Sequence, residues 1–199
     1  MTLICSATEL AGRLIQGEAA LFPTDTLPAL ATKPEAAARL WELKARPREK
    51  PVILMAASAE PLLSALGLPI EPAWQALAEQ HWPGALTLVL PANSELLEQL
   101  NPGGGSLGLR VPKCERALEL LRLTGPLATT SANRSGEPAC LNAQEAAAQF
   151  PQVAQLGPWP WPMPSGLGST VIAWEASGQW KLLRRGAVLP PELHASASD

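Results

Sequence analysis

The 199-residue sequence has no tyrosine, two phenylalanines, two histidines and three cysteines set far apart at Cys5, Cys114 and Cys140. An odd, scattered cysteine count is a poor disulfide framework. With no CxxC pair and no histidine beside a cysteine, structural zinc is not indicated either. Charged residues make up only 17% of the chain and the net charge is −3, a balance unlike intrinsic disorder or a wholly basic nucleic-acid coat. No apolar run approaches the roughly 20 residues that span a bilayer. The start, MTLICSATEL, lacks a basic segment followed by an apolar one, so no secretory leader is expected and a cytoplasmic, membrane-free protein is.

Catalytic signatures are also missing. There is no GxxxxGK[ST], no GxGxxG after a strand and no GxSxG elbow. His81, followed by Trp and Pro, reads as a packing or capping residue, and the search for a Ser/His/Asp triad stops there. Gly103–Gly105 reads as a hairpin loop, since no Lys-Ser/Thr helix follows it.

What is present is 47% apolar content, 21 prolines and 15 glycines without low-complexity runs. That suits one domain with a real core and many stiff loops. Ser6 and Glu9 form a capping box before a helix predicted over 7–16. Strands are predicted at 19–22, 52–55, 85–90, 107–111 and 127–129, and a hairpin at 169–174 and 180–183. Helices are predicted from Thr32 to about Arg46, at 59–66, 71–80 and 113–122, and from Asn142. Strands adjacent in sequence, without strict alternation with helices, predict an α+β (α/β) domain with a mixed sheet. The domain is expected over 1–190, with 191–199 as a flexible C-terminal tail.

Polar loops placed directly after apolar segments are the candidates for a site. Thr24-Asp25-Thr26 reads as either a self-capping turn or a binding loop. Lys44, Arg46, Arg48 and Lys50 lie in a loop predicted to be exposed and stiffened by Pro47 and Pro51, which suits an anionic ligand. Ser131-Ala-Asn133 carries more hydrogen-bonding groups than a turn requires. Gly168-Ser169-Thr170 enters one strand, and Arg184-Arg185-Gly186 leaves the next. Arg110 alternates with Leu109 and Val111, so it leaves on the other face of its strand; if that face is covered it needs an anionic partner. Cationic and hydroxyl-rich loops with few acid–base candidates point to chemistry by positioning and charge neutralisation, as in phosphoryl or nucleotidyl transfer.

FPTDT at 22–26, LKARPREKPVIL at 43–54, WPGALTLVL at 82–90, LGLRVP at 107–112, TSANRSGEP at 130–138, GSTVI at 168–172 and LRRGAV at 183–188 together resemble the YrdC-like threonylcarbamoyl-AMP synthases. The resemblance runs from about residue 8 to 186 and is to the short, single-domain type. It implies a YrdC/RibB-like twisted mixed sheet with packed helices around a positively charged cavity. It implies conversion of L-threonine, bicarbonate and ATP, carried with Mg2+, to threonylcarbamoyl-AMP and pyrophosphate. The product would feed a downstream tRNA threonylcarbamoyl transferase machinery making t6A37. By this resemblance Lys44 and Arg46 are catalytic. Arg46, Lys50, Ser106, Ser131, Asn133 and Arg184 bind nucleotide, and Thr24, Arg110 and Ser169 bind threonine. No residue is assigned to metal directly. The alternative is a nucleotide-binding protein of the same fold with little synthase activity, or a module binding tRNA or double-stranded RNA. Leu27-Pro28-Ala29 departs from the family's usual aromatic and glycine. Pro158–Pro164 (PWPWPMP) is either a rigid cover over the site or a surface loop.

Overall fold

The computed structural model describes residues 2–193. Strand β1 (Ile4–Cys5) leads into helix α1 (Ala7–Ile15), whose capping box is formed as the sequence predicts. Ser6 Oγ accepts the Glu9 N–H and the Glu9 carboxylate accepts the Ser6 N–H, contacts that contribute about 1 kcal/mol. Leu10 and Leu14 lie one turn apart and are fully buried. Leu14→Ala would cost roughly 2–5 kcal/mol by leaving a cavity.

Strands β2 (Ala20–Phe22) and β3 (Ala29–Thr32) pair antiparallel across the Thr24–Thr26 loop. The helix predicted from Thr32 to Arg46 is broken. A 3-10 turn at Pro34–Ala36 precedes α2 (Ala38–Lys44), and Ala45 ends α2 in the left-handed region at φ 48°. Then follow β4 (Ile53–Met55), α3 (Ala59–Ser64), α4 (Pro72–His81), β5 (Leu86–Pro91), α5 (Glu95–Leu100), β6 (Ser106–Arg110) and α6 (Glu115–Thr124). The chain finishes through β7 (Leu127–Ser131), α7 (Ala143–Gln149), β8 (Ala154–Leu156), and the hairpin β9 (Thr170–Trp174) and β10 (Trp180–Arg184). The tail expected over 191–199 lies mostly outside the described residues. Its first part, Pro191–Leu193, is a 3-10 turn, and Leu193 packs on the core. Among the described residues no helix is long and apolar enough to cross a membrane.

The ten strands form one mixed sheet in the order β1-β8-β2-β3-β7-β4-β6-β5-β9-β10. Side chains alternate between its faces. Leu21, Leu30, Leu54, Leu88, Leu109, Ala128 and Ile172 point into the larger core, shared with Leu40, Trp41, Leu62, Trp74 and Leu77 of the helices. Phe22, Ala31, Met55 and Leu127 point the other way, onto Leu10, Leu14, Leu120 and Leu121 of α1 and α6. Those two helices cover only part of that second face. On its remainder the alternation brings up Thr87, Arg110, Thr129, Ser131 and Val171, and there a cavity of about 210 Å3 opens.

Pro158–Pro164 is an anchored loop. Trp161 is buried and its Nε1 donates to the Leu156 carbonyl at 2.7 Å, while Arg116 donates to the carbonyls of Pro158 and Pro160. The chain beyond it lies along the Thr24–Thr26 loop, with Ser165 N–H on Asp25 O and Gly166 N–H on Thr26 O.

Candidate active site

One wall of the cavity is the loop between β2 and β3. Thr24 Oγ1 accepts the N–H groups of Thr26 and Leu27 and donates to the Leu27 carbonyl at 2.7 Å. The self-capping turn and the binding loop are therefore the same object. Arg110 reaches this loop from β6. Its Nη1 donates to Thr26 Oγ1 at 2.7 Å, its Nη2 to Asp25 Oδ1 at 2.7 Å, and its Nε to the Gly84 carbonyl at 3.0 Å. The strand alternation demanded an anion for a covered Arg110, and Asp25 is that anion. Burial pushes the Arg110 guanidinium down from its usual range, and Asp25 opposes that shift.

The opposite wall comes from β5, β9 and β10. Ser169 Oγ lies 2.8 Å from Thr87 Oγ1, and Arg184 donates to both the carbonyl and the hydroxyl of Ser169. Two glycines make this overlap possible. A Cβ on Gly168 would sit 3.3 Å from Arg184 Nη2, and one on Gly186 would run into the backbone of Gly168 and Ser169. Arg46 closes the third side. Its Nε and Nη2 donate to the carbonyls of Lys50 and Pro51 at 3.2 and 3.1 Å, and Trp41 Nε1 donates to the same Lys50 carbonyl. Burial lowers the guanidinium pKa of both Arg46 and Arg184. Among the described residues neither has a carboxylate partner.

Lys44 departs from the exposed loop expected of it. The last turn of α2 buries it to 1% exposure. Its Nζ donates to the Ser131 carbonyl at 2.5 Å and to the Asn133 carbonyl, and its own carbonyl accepts the Ser135 N–H. Burial, and then the charge of Arg46, lower Lys44 to about 8. Lys44 therefore ties α2 to the loop after β7 from beneath, while Arg46, two residues on, turns into the cavity because the left-handed Ala45 redirects the chain.

Thr24, Arg46, Arg110, Ser131, Ser169 and Arg184 thus meet on one cavity. Asn133 stands just outside it, holding Ser131 Oγ at 2.6 Å through Oδ1 and the carbonyls of Arg134 and Glu137 through Nδ2. Lys44 lies behind it. Lys50 is exposed and contributes its carbonyl, and Ser106 sits at the far start of β6; neither lines the cavity. The sequence reading missed Thr87, the one polar side chain in the apolar run Leu86–Leu90 and 1% exposed; that exception within a strand was the available signal. It also left Thr26 and Asp25 without roles. Among the described residues no cluster of three or more His, Cys, Asp or Glu side chains is placed to hold a metal ion.

Residues 13–186 match the profile of the Sua5/YciO/YrdC family, described as "Telomere recombination". A protein of Pyrococcus abyssi named threonylcarbamoyl-AMP synthase is 39% identical over 145 residues, 70% of this chain and 42% of that protein. A Klebsiella pneumoniae protein of the same name is 37% identical over 134 residues, 65% of this chain and 70% of that one. A crystal structure of P. abyssi Sua5 complexed with L-threonine superposes with a TM-score of 0.88 at 29% identity, covering 100% of this chain and 61% of that one. The matched segment therefore spans under half the length of the Pyrococcus synthase in sequence, and the whole chain spans 61% of the P. abyssi Sua5 structure.

Proposed function

This chain belongs to the Sua5/YciO/YrdC family, and from that premise we propose that it makes threonylcarbamoyl-AMP and pyrophosphate from L-threonine, bicarbonate and ATP. The observation that carries the reading is convergence. Three guanidinium groups and the hydroxyls of Thr24, Thr26, Thr87, Ser131 and Ser169, from segments spread over 160 positions (24 to 184), line one cavity. The P. abyssi structure with L-threonine and the synthase names of the relatives support L-threonine and ATP as substrates.

The chemistry needs little acid–base help. The threonine amine takes up CO2 from bicarbonate to give a carbamate, and a carbamate oxygen attacks the α-phosphorus of ATP. The bond to the bridging oxygen breaks and pyrophosphate leaves; the net reaction releases one water. Arg46, held by the carbonyls of Lys50 and Pro51, and Arg184, held by the carbonyl and hydroxyl of Ser169, have no carboxylate partner among the described residues and offer positive charge to the triphosphate and to the oxygens that gain charge in the transition state. Mg2+ would be carried by ATP as part of that substrate and would supply charge neutralisation for the pyrophosphate. Thr24, Thr26 and Arg110 hold the amino acid, and Ser131 reaches the nucleotide from a loop that Lys44 and Asn133 hold still. Lys44 is in this account a positioning residue. The cavity, smaller than the roughly 300–1,000 Å3 of pockets that enclose a drug-sized ligand, shelters the reacting ends while adenosine lies toward the open side.

The product would be handed to a threonylcarbamoyl transferase acting on tRNA. To test the reading, purified protein is mixed with L-threonine, bicarbonate and Mg-ATP, with pyrophosphate release coupled to a readout and the adenylate sought by mass spectrometry. Threonine-dependent pyrophosphate and the adenylate mass are expected. ATP binding without turnover, or salt-sensitive retention of tRNA without ATP binding, would contradict it.

A further inference from the structure

Asp25 stands between the two threonines of the wall yet does not line the cavity. Its Oδ1 turns back to accept Arg110 Nη2 at 2.7 Å and the Lys113 N–H at 3.0 Å. The pair is well sheltered, with side-chain exposures of 17% for Asp25 and 5% for Arg110. Arginine only donates and a carbonyl only accepts, so the proton positions on this wall are determined. Thr26 Oγ1 accepts from Arg110, and Thr24 commits its proton to the Leu27 carbonyl. The 3.1 Å contact between the two hydroxyls is then Thr26 donating to Thr24. What Thr26 has left for a ligand is a lone pair, and what Arg110 has left is its unused N–H groups. Side by side they complement an amine and a carboxylate. The wall as a whole is net neutral, because Asp25 cancels Arg110, whereas Arg46 and Arg184 across the cavity have no carboxylate partner among the described residues.

We propose that Asp25 is a positioning residue whose charge reserves this wall for a zwitterionic amino acid and turns polyanions toward Arg46 and Arg184. The inference rests on the function given above. Without the carboxylate, the wall carries an uncompensated buried cation, which attracts phosphate to the amino-acid side. An amide oxygen in Asp25→Asn can still accept from Arg110 Nη2 and the Lys113 N–H, so that variant removes the charge while leaving an acceptor in place.

The test uses wild type, Asp25→Asn and Asp25→Glu, with L-threonine binding by calorimetry, steady-state kinetics, and inorganic phosphate as the probe anion. Asp25→Asn is expected to raise the threonine KM and Kd at least tenfold, with the ATP KM held within threefold. Phosphate should become competitive with threonine in Asp25→Asn, not in wild type, and Asp25→Glu should restore most of both properties. If Asp25→Asn does not fold, the double variant Asp25→Asn/Arg110→Gln removes both charges. It should bind threonine weakly with no phosphate competition; competition there would overturn the charge argument. Threonine binding and phosphate insensitivity unchanged in Asp25→Asn overturn the inference alone. A wild type that binds threonine but makes no adenylate overturns the proposed function alone, and a wild type that binds no threonine overturns both.

Discussion

The two sides of the cavity use arginine in opposite ways. On one side Arg110 is enclosed, bonded to Asp25, Thr26 and Gly84, with its charge answered inside the protein. On the other, Arg46 and Arg184 rest on the carbonyls of Lys50, Pro51 and Ser169, which orient them without cancelling their charge. A guanidinium paired with a buried carboxylate acts as a directed hydrogen-bond donor, while one capped by carbonyls keeps its field for a ligand. The same contrast separates Lys44 from Arg46, two positions apart. Lys44 serves the loop after β7, and Arg46 serves whatever occupies the cavity.

The sharpest way to break this comparison is to remove the open side. Arg46→Ala should lower kcat/KM for ATP by roughly 100- to 1,000-fold, the scale of losing one preorganised donor to a charged transition state, while thermal melting changes little. Arg46→Lys should recover only part, because a point charge lacks the paired donors. An Arg46→Ala enzyme with a normal ATP KM and kcat would remove Arg46 from the site.

Lys44→Met should act first on stability. It strands the Ser131 and Asn133 carbonyls in a dry place, at a cost of about 2–4 kcal/mol, lowering Tm by roughly 5–15 °C for a chain of this size. Activity should fall with it because Ser131 loses its support. A melting temperature equal to wild type would show that those carbonyls find other partners.

Lys44 also carries a pH signature. Its folded pKa, lowered to about 8 by burial, lies below its ordinary value. Between pH 8 and about 10 the unfolded chain therefore holds more protons than the folded one, and this residue's contribution to stability rises with pH across that window. Below pH 8 its charging penalty is fully present. Denaturant titrations from pH 7 to 10 should show that rise in wild type and not in Lys44→Met. ATP affinity, in contrast, should decline as pH passes 8 and the ammonium beneath the site loses its charge.

The smallest effect is expected from Thr87→Val, which removes the hydroxyl beside Ser169 at nearly constant volume. A loss of about 3- to 10-fold in kcat/KM, about 1 kcal/mol for one hydrogen bond, with unchanged melting would place Thr87 in the same wall as Ser169 and Arg184. No change would leave Arg184 alone in holding Ser169.

The sequence announced this arrangement unevenly. The capping box at Ser6, the apolar strands and the β9–β10 hairpin were readable because local chemistry decides them. Arg110's need for an anion was readable from strand alternation alone. Short elements were not: β1, β3, α5 and β8 have two to six residues each and are formed by their neighbours in the sheet or core rather than by their own pattern. β3 also follows directly on Pro28, which the sequence marks only as part of a departure from the family's pattern, although it pairs with β2 and β7. Lys44 was misplaced because a cation in a charged loop looks solvated, and only the path of the loop after β7 brings two carbonyls over it. The family resemblance named the motifs but not the division of labour within them, which depends on where each charge is answered.

Calorimetric titration of ATP, and separately of L-threonine, into wild type and the Arg46→Ala/Arg184→Ala variant tests that division most directly. A Kd for ATP raised 100-fold or more, with the threonine Kd held within threefold, is the expected result. Equal weakening of both ligands, or of neither, would contradict it.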